Sequence, residues 1–222
     1  MPVIDFYHLA GSPPCRAVEM VASLVGVELK KHVIDLSKGD QFKEDYVKLN
    51  PLHKVPFIVD GEVKIGESRA ILAYLVNKYQ PNNEHLYPKG AECRAKIDEF
   101  LYYEMGTFYS SAYKLFRPMF MGKVDRLNED DEKAFKTGLD YLEKRLADSK
   151  ANFMCGNHLS IADISLAASL TMPTCCDYDL SPYKNLLAYM GRVRAAVPKY
   201  GEINDGPCEM FKQRVAQMQQ KQ

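Results

Sequence analysis

The chain has 222 residues, with 29 basic and 29 acidic side chains and a formal net charge of zero. That balance argues against a nucleic-acid surface or a polybasic membrane patch as its main business. Hydrophobic residues make up 46%, which argues against disorder, and the length suits one large domain or two small ones. No run approaches the ~18 uninterrupted apolar residues of a membrane span. The opening MPVIDFYH lacks a basic region followed by a long apolar run, so no signal peptide is expected. Six cysteines show no C-x-x-C pair and no metal-ligand spacing, and there is no N-x-S/T sequon. They read as reduced thiols of a cytosolic protein, mostly buried, and not as three disulfides.

In chain order, Val3 to His8 predicts a short strand. The turn AGSPP leads into Arg16 to Val25, where Ala17, Val18, Val21, Leu24 and Val25 repeat at helical spacing, and Gly26 stops the helix. Leu29 to Ile34 is a second strand, and Asp40 to Leu49 a short helix or irregular turn. Phe57 to Val59 and Glu62 to Ile65 flank Asp60-Gly61, a hairpin signal. Ser68 to Tyr79 is helical. The order β-α-β-α-β-β-α therefore fills residues 1–80. PNNEHLYPKG, residues 81–90, reads as a linker. Residues 91–222 show no strand. Helical patterns run over Glu92 to Phe120, Glu129 to Leu146, Leu159 to Thr171 (nearly all apolar, hence central), Ser181 to Ala196, and Pro207 to Met218.

The stretch LNPLHKVPF, Leu49 to Phe57, places a proline directly before a strand. Pro56 has no N–H to donate. A cis bond at Val55–Pro56 would turn the Val55 backbone outward to a ligand. A proline before a hairpin in this element order is the layout of a thioredoxin-like fold. With it stand L49-N-P-L-H-K-V-P56, G66-E-S-R-A-I-L-A-Y-L75 and Ser160-Ile-Ala-Asp163. On these motifs the whole chain resembles a cytosolic glutathione S-transferase. Y7-H-L-A-G-S-P-P-C-R16 and Y103-E-M-G-T107 resemble the arthropod delta class most, with epsilon close behind.

The resemblance implies an α/β thioredoxin-like domain followed by an all-α domain. It implies glutathione as co-substrate with no prosthetic group or metal, a hydrophobic electrophile as second substrate, and a cytoplasmic homodimer without nucleic-acid or membrane partners. Glu104 and Arg69 are expected near the dimer interface. A strand-like tripeptide would pair with the Val55 backbone. The N-terminus of the helix opening at Ser68 would take its γ-glutamyl carboxylate, unless Ser68 is only a helix cap. Glu67 would face the ammonium, and Arg69 would add charge. Leu36, Gln41, His53 and Lys54 complete the implied contacts, with Gln41 standing where delta-like sequences often have histidine. Ser160 and Asp163 read as a capping pair.

Three residues compete for the chemistry. Ser12 offers a hydroxyl at a helix N-terminus, suited to holding a thiolate. Tyr7 is the rival used by other classes, or else a core aromatic. Cys15 is the third, as the nucleophile of a thiol transferase, or else a packed core thiol. Pro13 replaces a serine common in delta-like sequences and stiffens the loop. Tyr109, Tyr113 and Phe116 are expected to wall the electrophile pocket, with Met210, Phe211 and Val215 closing it. Either a conjugating enzyme or a non-catalytic carrier of apolar ligands fits such a pocket. Detoxification and a secondary peroxidase activity are what the resemblance adds.

Overall fold

The computed structural model describes residues 1–121 and 127–219, and side chains as far as Gln213. Four strands, β1 (Val3–His8), β2 (Glu28–Val33), β3 (Phe57–Asp60) and β4 (Val63–Ile65), form one sheet in the order β2-β1-β3-β4. β1 runs parallel to β2 and antiparallel to β3, and β3 pairs with β4 antiparallel. Side chains alternate across a strand, and β1 shows both faces. His8 meets Glu19 of α1 (Pro13–Val25) at 3.4 Å, while Tyr7 packs on Tyr46 of α2 (Glu44–Leu49) with ring centroids 5.7 Å apart. The expected order β-α-β-α-β-β-α holds, closing with α3 (Ser68–Tyr79). Segment 40–49, read as a short helix or irregular turn, is a 3-10 turn (Asp40–Phe42) followed by α2.

Past β4, among the described residues, the only extended pairing is an isolated Phe153–Gly156 bridge. The long pattern from 92 to 120 is α4 (Ala91–Tyr103), a π-helical stretch (Glu104–Tyr109) and α5 (Ser110–Phe120). α6 (Glu129–Ser149) opens on Asn128, whose side chain accepts from the Asp131 N–H at 3.0 Å. The apolar helix is shorter than its pattern. α7 (Ile161–Ser169) stops and α8 (Thr171–Cys175) begins, because Pro173 has no N–H for the Ser169 carbonyl four residues back. α9 (Lys184–Ala196) starts three residues later than expected. Its first N–H groups at Asn185 and Leu186 donate to Glu143 of α6, at 2.9 and 2.8 Å. α10 (Gly206–Gln219) ends the described chain.

α1 lies between α3 and α7 and is buried nearly all round, Arg16 and Glu19 included. It is the hinge of one continuous core joining the sheet to the helices. The polar segment 81–90 is pinned, not loose: Leu86 is buried and its carbonyl accepts from the Ile161 N–H at 3.0 Å. Asp163, inside α7, accepts from the N–H groups of Met154 and Ser160 and the hydroxyls of Ser160 and Tyr189, at 2.7 to 3.0 Å. That assigns it to folding.

Asp60 ties the β3–β4 hairpin to α3. It accepts from Tyr74 Oη (2.8 Å), Lys78 Nζ (2.7 Å) and Tyr79 Oη (2.5 Å). Burial pushes its carboxyl up, but the bonds from Lys78, Tyr79 and Tyr74 outweigh this and hold it below the ordinary value. Such a carboxylate stabilises the fold above its unfolded pKa of about 3.9. The contribution is lost as pH falls through the lower folded value. Asp60→Asn is expected to be less stable than the wild type at neutral pH. In urea titrations the gap should shrink below about pH 4; a gap independent of pH would contradict this role.

Candidate functional site

The sheet register gathers the candidate residues. β3 and β1 are antiparallel, with Phe57 opposite Tyr7, so the chain entering β3 and the chain leaving β1 lie at the same end. β4 leaves its pairing there too, with Ile65 opposite Ile58, and β2 ends beside His8 at Val33. Ser12, Val55, the Glu67–Ser68 step and the segment holding Leu36 and Gln41 are therefore brought to one edge of the fold.

Ser12 is the N-cap of α1, yet its side chain makes no cap hydrogen bond. Pro13 and Pro14 carry no N–H, and the N–H groups of Cys15 and Arg16 turn back on the Ser12 carbonyl at 3.0 and 3.1 Å. The first turn thus keeps its positive end while its backbone donors are missing or spent. The half-buried Ser12 hydroxyl is what remains to donate there. Tyr7 sits on the opposite face from α1, stacked on His32 with centroids 4.7 Å apart and edge-on to Phe57. Half-burial moves its phenol upward. Cys15 is fully buried, and burial pushes its thiol up to about 11 against the easing effect of Leu9 and Ser12. A thiol so placed is neither exposed nor a ready thiolate, which favours packing over catalysis.

The Val55–Pro56 bond is cis. Neither the N–H nor the carbonyl of Val55 has a backbone partner among the described residues. The loop before it is held by two residues not singled out in the sequence. Tyr46 Oη and Asn50 Nδ2 both donate to the Lys54 carbonyl, at 2.5 and 2.8 Å. The sequence signal for them was slight: an asparagine just before Pro51. Lys54 is exposed, and Leu36 is 39% exposed. His53, at φ 54°, lies 5.5 Å from Phe42. His53 Nδ1 and Gln41 Oε1 are buried polar atoms without a protein partner, so both keep capacity for a polar ligand.

The N-cap of α3 is Glu67, not Ser68. Ser68 is the first helical residue, so the reading of it as a cap is set aside. Glu67 holds φ 59°, ψ 105°, outside the usual regions for a side-chain-bearing residue. Such a backbone costs ~1–3 kcal/mol and survives only where surroundings impose it. Arg69 Nη1 donates to Ser68 Oγ at 2.9 Å, leaving the Ser68 hydroxyl free to donate its own hydrogen. Arg69 Nε and Nη2 donate to Glu104 Oε2 at 3.0 and 2.5 Å. Ser165 and Ser169 of α7 donate to the same carboxylate at 2.7 and 2.5 Å. Glu104 is fully buried. The pair closes inside one chain and orients Ser68.

The aromatic wall divides. Tyr109 lies under Arg69, 5.3 Å from guanidinium carbon to ring centroid, and stacks on Tyr113 at 5.8 Å. Burial, the main cause, moves its phenol well up. Tyr113 is 43% exposed. Phe116 is a correction. It is fully buried, edge-on to Phe135 and Tyr178 in the helical core. The i, i+3, i+4 spacing could not tell the two faces of α5 apart. Phe211 packs on Phe120 with centroids 4.6 Å apart, Met210 is exposed, and the Val215 side chain lies outside the described residues.

A mixed sheet with a cis-proline edge, joined to a helical unit that supplies a buried carboxylate and tyrosines, defines a thioredoxin-like transferase architecture. Residues 6–83 match the family model described as the glutathione S-transferase N-terminal domain, and residues 125–192 its C-terminal domain. A delta-class glutathione transferase of Nilaparvata lugens is 38% identical, over 97% of this chain and 99% of that one, with a TM-score of 0.90. A Drosophila mojavensis glutathione transferase homologue, with bound glutathione, is 31% identical over 98% of each chain, with a TM-score of 0.85. An epsilon-class enzyme of the housefly, Musca domestica, is 28% identical over 97% and 98%, with a TM-score of 0.87. The chain belongs to the glutathione S-transferase family. It is a glutathione transferase, most like the insect delta and epsilon classes.

Glu104→Ala would leave the Arg69 guanidinium and two serine hydroxyls without their acceptor. Breaking one side of a buried ion pair costs ~3–5 kcal/mol. The expected result is a loss of that size in urea denaturation; a loss below about 1 kcal/mol, the range of exposed pairs, would show that the pair is not a structural link.

Proposed function

We propose that the enzyme ionises the glutathione thiol with the Ser12 hydroxyl and directs the thiolate at an apolar electrophile beside Tyr109 and Tyr113. The observation that carries this is the Ser12 geometry: a hydroxyl that makes no cap hydrogen bond, at a helix N-terminus whose own backbone donors are absent or spent. A hydrogen bond to a charged group is worth ~1.5–3 kcal/mol, or about one to two pKa units. That displacement brings a thiol of pKa about 8.5 to near neutrality. The thiolate forms a sulfur–carbon bond, and in a substitution the leaving group departs with its electron pair.

The remaining roles follow from the ligand's groups. The γ-glutamyl carboxylate meets the N–H and hydroxyl of Ser68 at the α3 N-terminus, with Glu67 toward the ammonium. Arg69 is a positioning residue for Ser68, held by Glu104. The cysteinyl peptide pairs with Val55, whose unpartnered backbone supports this. His53 and Gln41, with their unpaired buried atoms, receive the glycyl carboxylate beside Lys54, and Leu36 covers the rim. Pro56 shapes the edge, with the domain boundaries falling near residues 80 and 90. Conjugation of hydrophobic electrophiles, as in detoxification, and peroxidase turnover through the same thiolate belong to this reading.

Ser12→Ala is the test. The bound thiol, followed by its ultraviolet thiolate absorbance, should rise by about one to two pKa units, and turnover of a chlorodinitrobenzene at neutral pH should fall ~10–100-fold. Cys15→Ala should keep the wild-type thiol titration. An unchanged titration in Ser12→Ala would overturn the assignment, and a bound thiol that never ionises in the wild type would favour the carrier.

We also infer a homodimer. Tyr102, 71% exposed, and Met105, 37% exposed, project one turn apart from the α4 end and the π-helical stretch, an apolar pair suited to cover by a second copy. Light scattering should give twice the 25.2 kDa chain, and Tyr102→Glu should shift the species to the monomer; a wild-type monomer at micromolar concentration would refute it.

A further inference from the structure

α8 and α10 meet beside α1, and the contact brings Cys175 and Cys208 together. Cys175 Sγ donates to the Cys208 carbonyl at 3.7 Å. Both are 8% exposed. Arg16 of α1 faces them. It is 2% exposed, donates from Nη2 to Thr171 Oγ1 at 2.5 Å, and keeps Nε without a partner. Among the described residues no carboxylate forms an ion pair with it. A buried guanidinium without a counter-charge is costly. The ionisable groups in reach of its charge include the two thiols.

The thiols are unequal. The neighbouring Cys175 thiol, against burial and with help from the Arg16 charge and Thr171, holds Cys208 below the ordinary thiol range. Cys175 moves up, first through its Cys208 neighbour and second through burial. A sulfur beside a cation, a hydroxyl and a second thiol is the chemistry of peroxide reduction, in which a thiolate attacks and a neighbour resolves the product. None of these four residues is used by the transferase reaction.

We propose that Cys208 and Cys175, with Arg16 and Thr171, form a hydrogen-peroxide-oxidisable dithiol whose disulfide staples the C-terminal helix to α8. The Cys208 sulfur attacks one peroxide oxygen. The S–O bond forms, the O–O bond breaks, and the departing hydroxide takes the Cys208 proton and leaves as water. The Cys175 sulfur then attacks the sulfenic sulfur. The S–S bond forms, the S–O bond breaks, and the hydroxide leaves with the Cys175 proton as a second water. The sulfur pair loses two electrons and the peroxide gains them. Two molecules of a small thiol such as glutathione restore the dithiol and leave as their disulfide. The low exposure of the pair selects hydrogen peroxide over bulky hydroperoxides.

The test uses the full chain with Cys93→Ser, which removes the one exposed thiol of the six. After brief hydrogen peroxide and alkylation, two of the remaining free thiols should be lost. Non-reducing peptide maps should join the Cys175 and Cys208 peptides, and glutathione should reverse the link. Cys175→Ser should instead accumulate a dimedone-reactive sulfenic acid at Cys208, whereas Cys208→Ser should leave Cys175 unmodified. Arg16→Lys should slow the oxidation by about tenfold or more; if that variant does not fold, the two near-isosteric serine variants decide. The proposal is overturned if Cys175 and Cys208 stay reduced while Cys155 or Cys176 oxidises, or if the bridge joins another pair. None of these readouts depends on Ser12, so failure here leaves the transferase assignment untouched.

Discussion

The Glu104 carboxylate is the point on which the arrangement turns. It sits fully buried in a π-helical stretch and accepts from Arg69 of α3 and from Ser165 and Ser169 of α7. The π stretch adds a residue to the turn and aims Glu104 and Phe108 inward together. An ion pair taken out of water stabilises little by itself, but its geometry is unforgiving because neither charge can be left alone. The Arg69 guanidinium is thereby fixed, and with it the Ser68 hydroxyl at the α3 N-terminus. A residue of the helical half thus sets a polar atom on the sheet half.

The same logic runs through α1. That helix is buried on all sides, so its two charged side chains must find partners inside. Glu19 does so with Lys31 at 2.5 Å and with His8. Arg16 reaches across to Thr171, at the step where Pro173 breaks the apolar helix in two. One turn before Arg16, at the N-terminal end of α1, two prolines strip the helix of backbone donors and leave the half-buried Ser12 hydroxyl at the sheet edge. One helix therefore joins the thiolate site to the cysteine pair, through rigid packing and not through a shared cavity.

Much was legible along the chain. Strand and helix order over the first eighty residues followed from alternation, the Asp60-Gly61 turn and the Gly26 stop, which are local features. The cis-proline edge and the N-terminus at Ser68 were readable for the same reason, since backbone geometry is dictated by neighbours in sequence. Asn50, Glu143, Ser165 and Ser169 were not. Each acts on a group it meets only in three dimensions, as Glu143 does on the first turn of α9. Periodicity marked the aromatic stripe on α5 but could not assign its faces, because Phe116 and Tyr113 lie three residues apart and differ only in what packs against them.

By itself, then, the sequence determined the order of elements, the turn chemistry and the family motifs, because propensity, proline and glycine act over a few residues. The tertiary structure decided which polar groups would be left unpaired and which would be spent. It freed the Ser12 hydroxyl, buried Cys15, enclosed Glu104 within the chain, and set Arg16 against two thiols thirty-three positions apart in a sequence that gives no sign of their meeting. Burial and long-range pairing are properties of the packed chain, and only packing fixes the charge and proton affinity on which the chemistry depends.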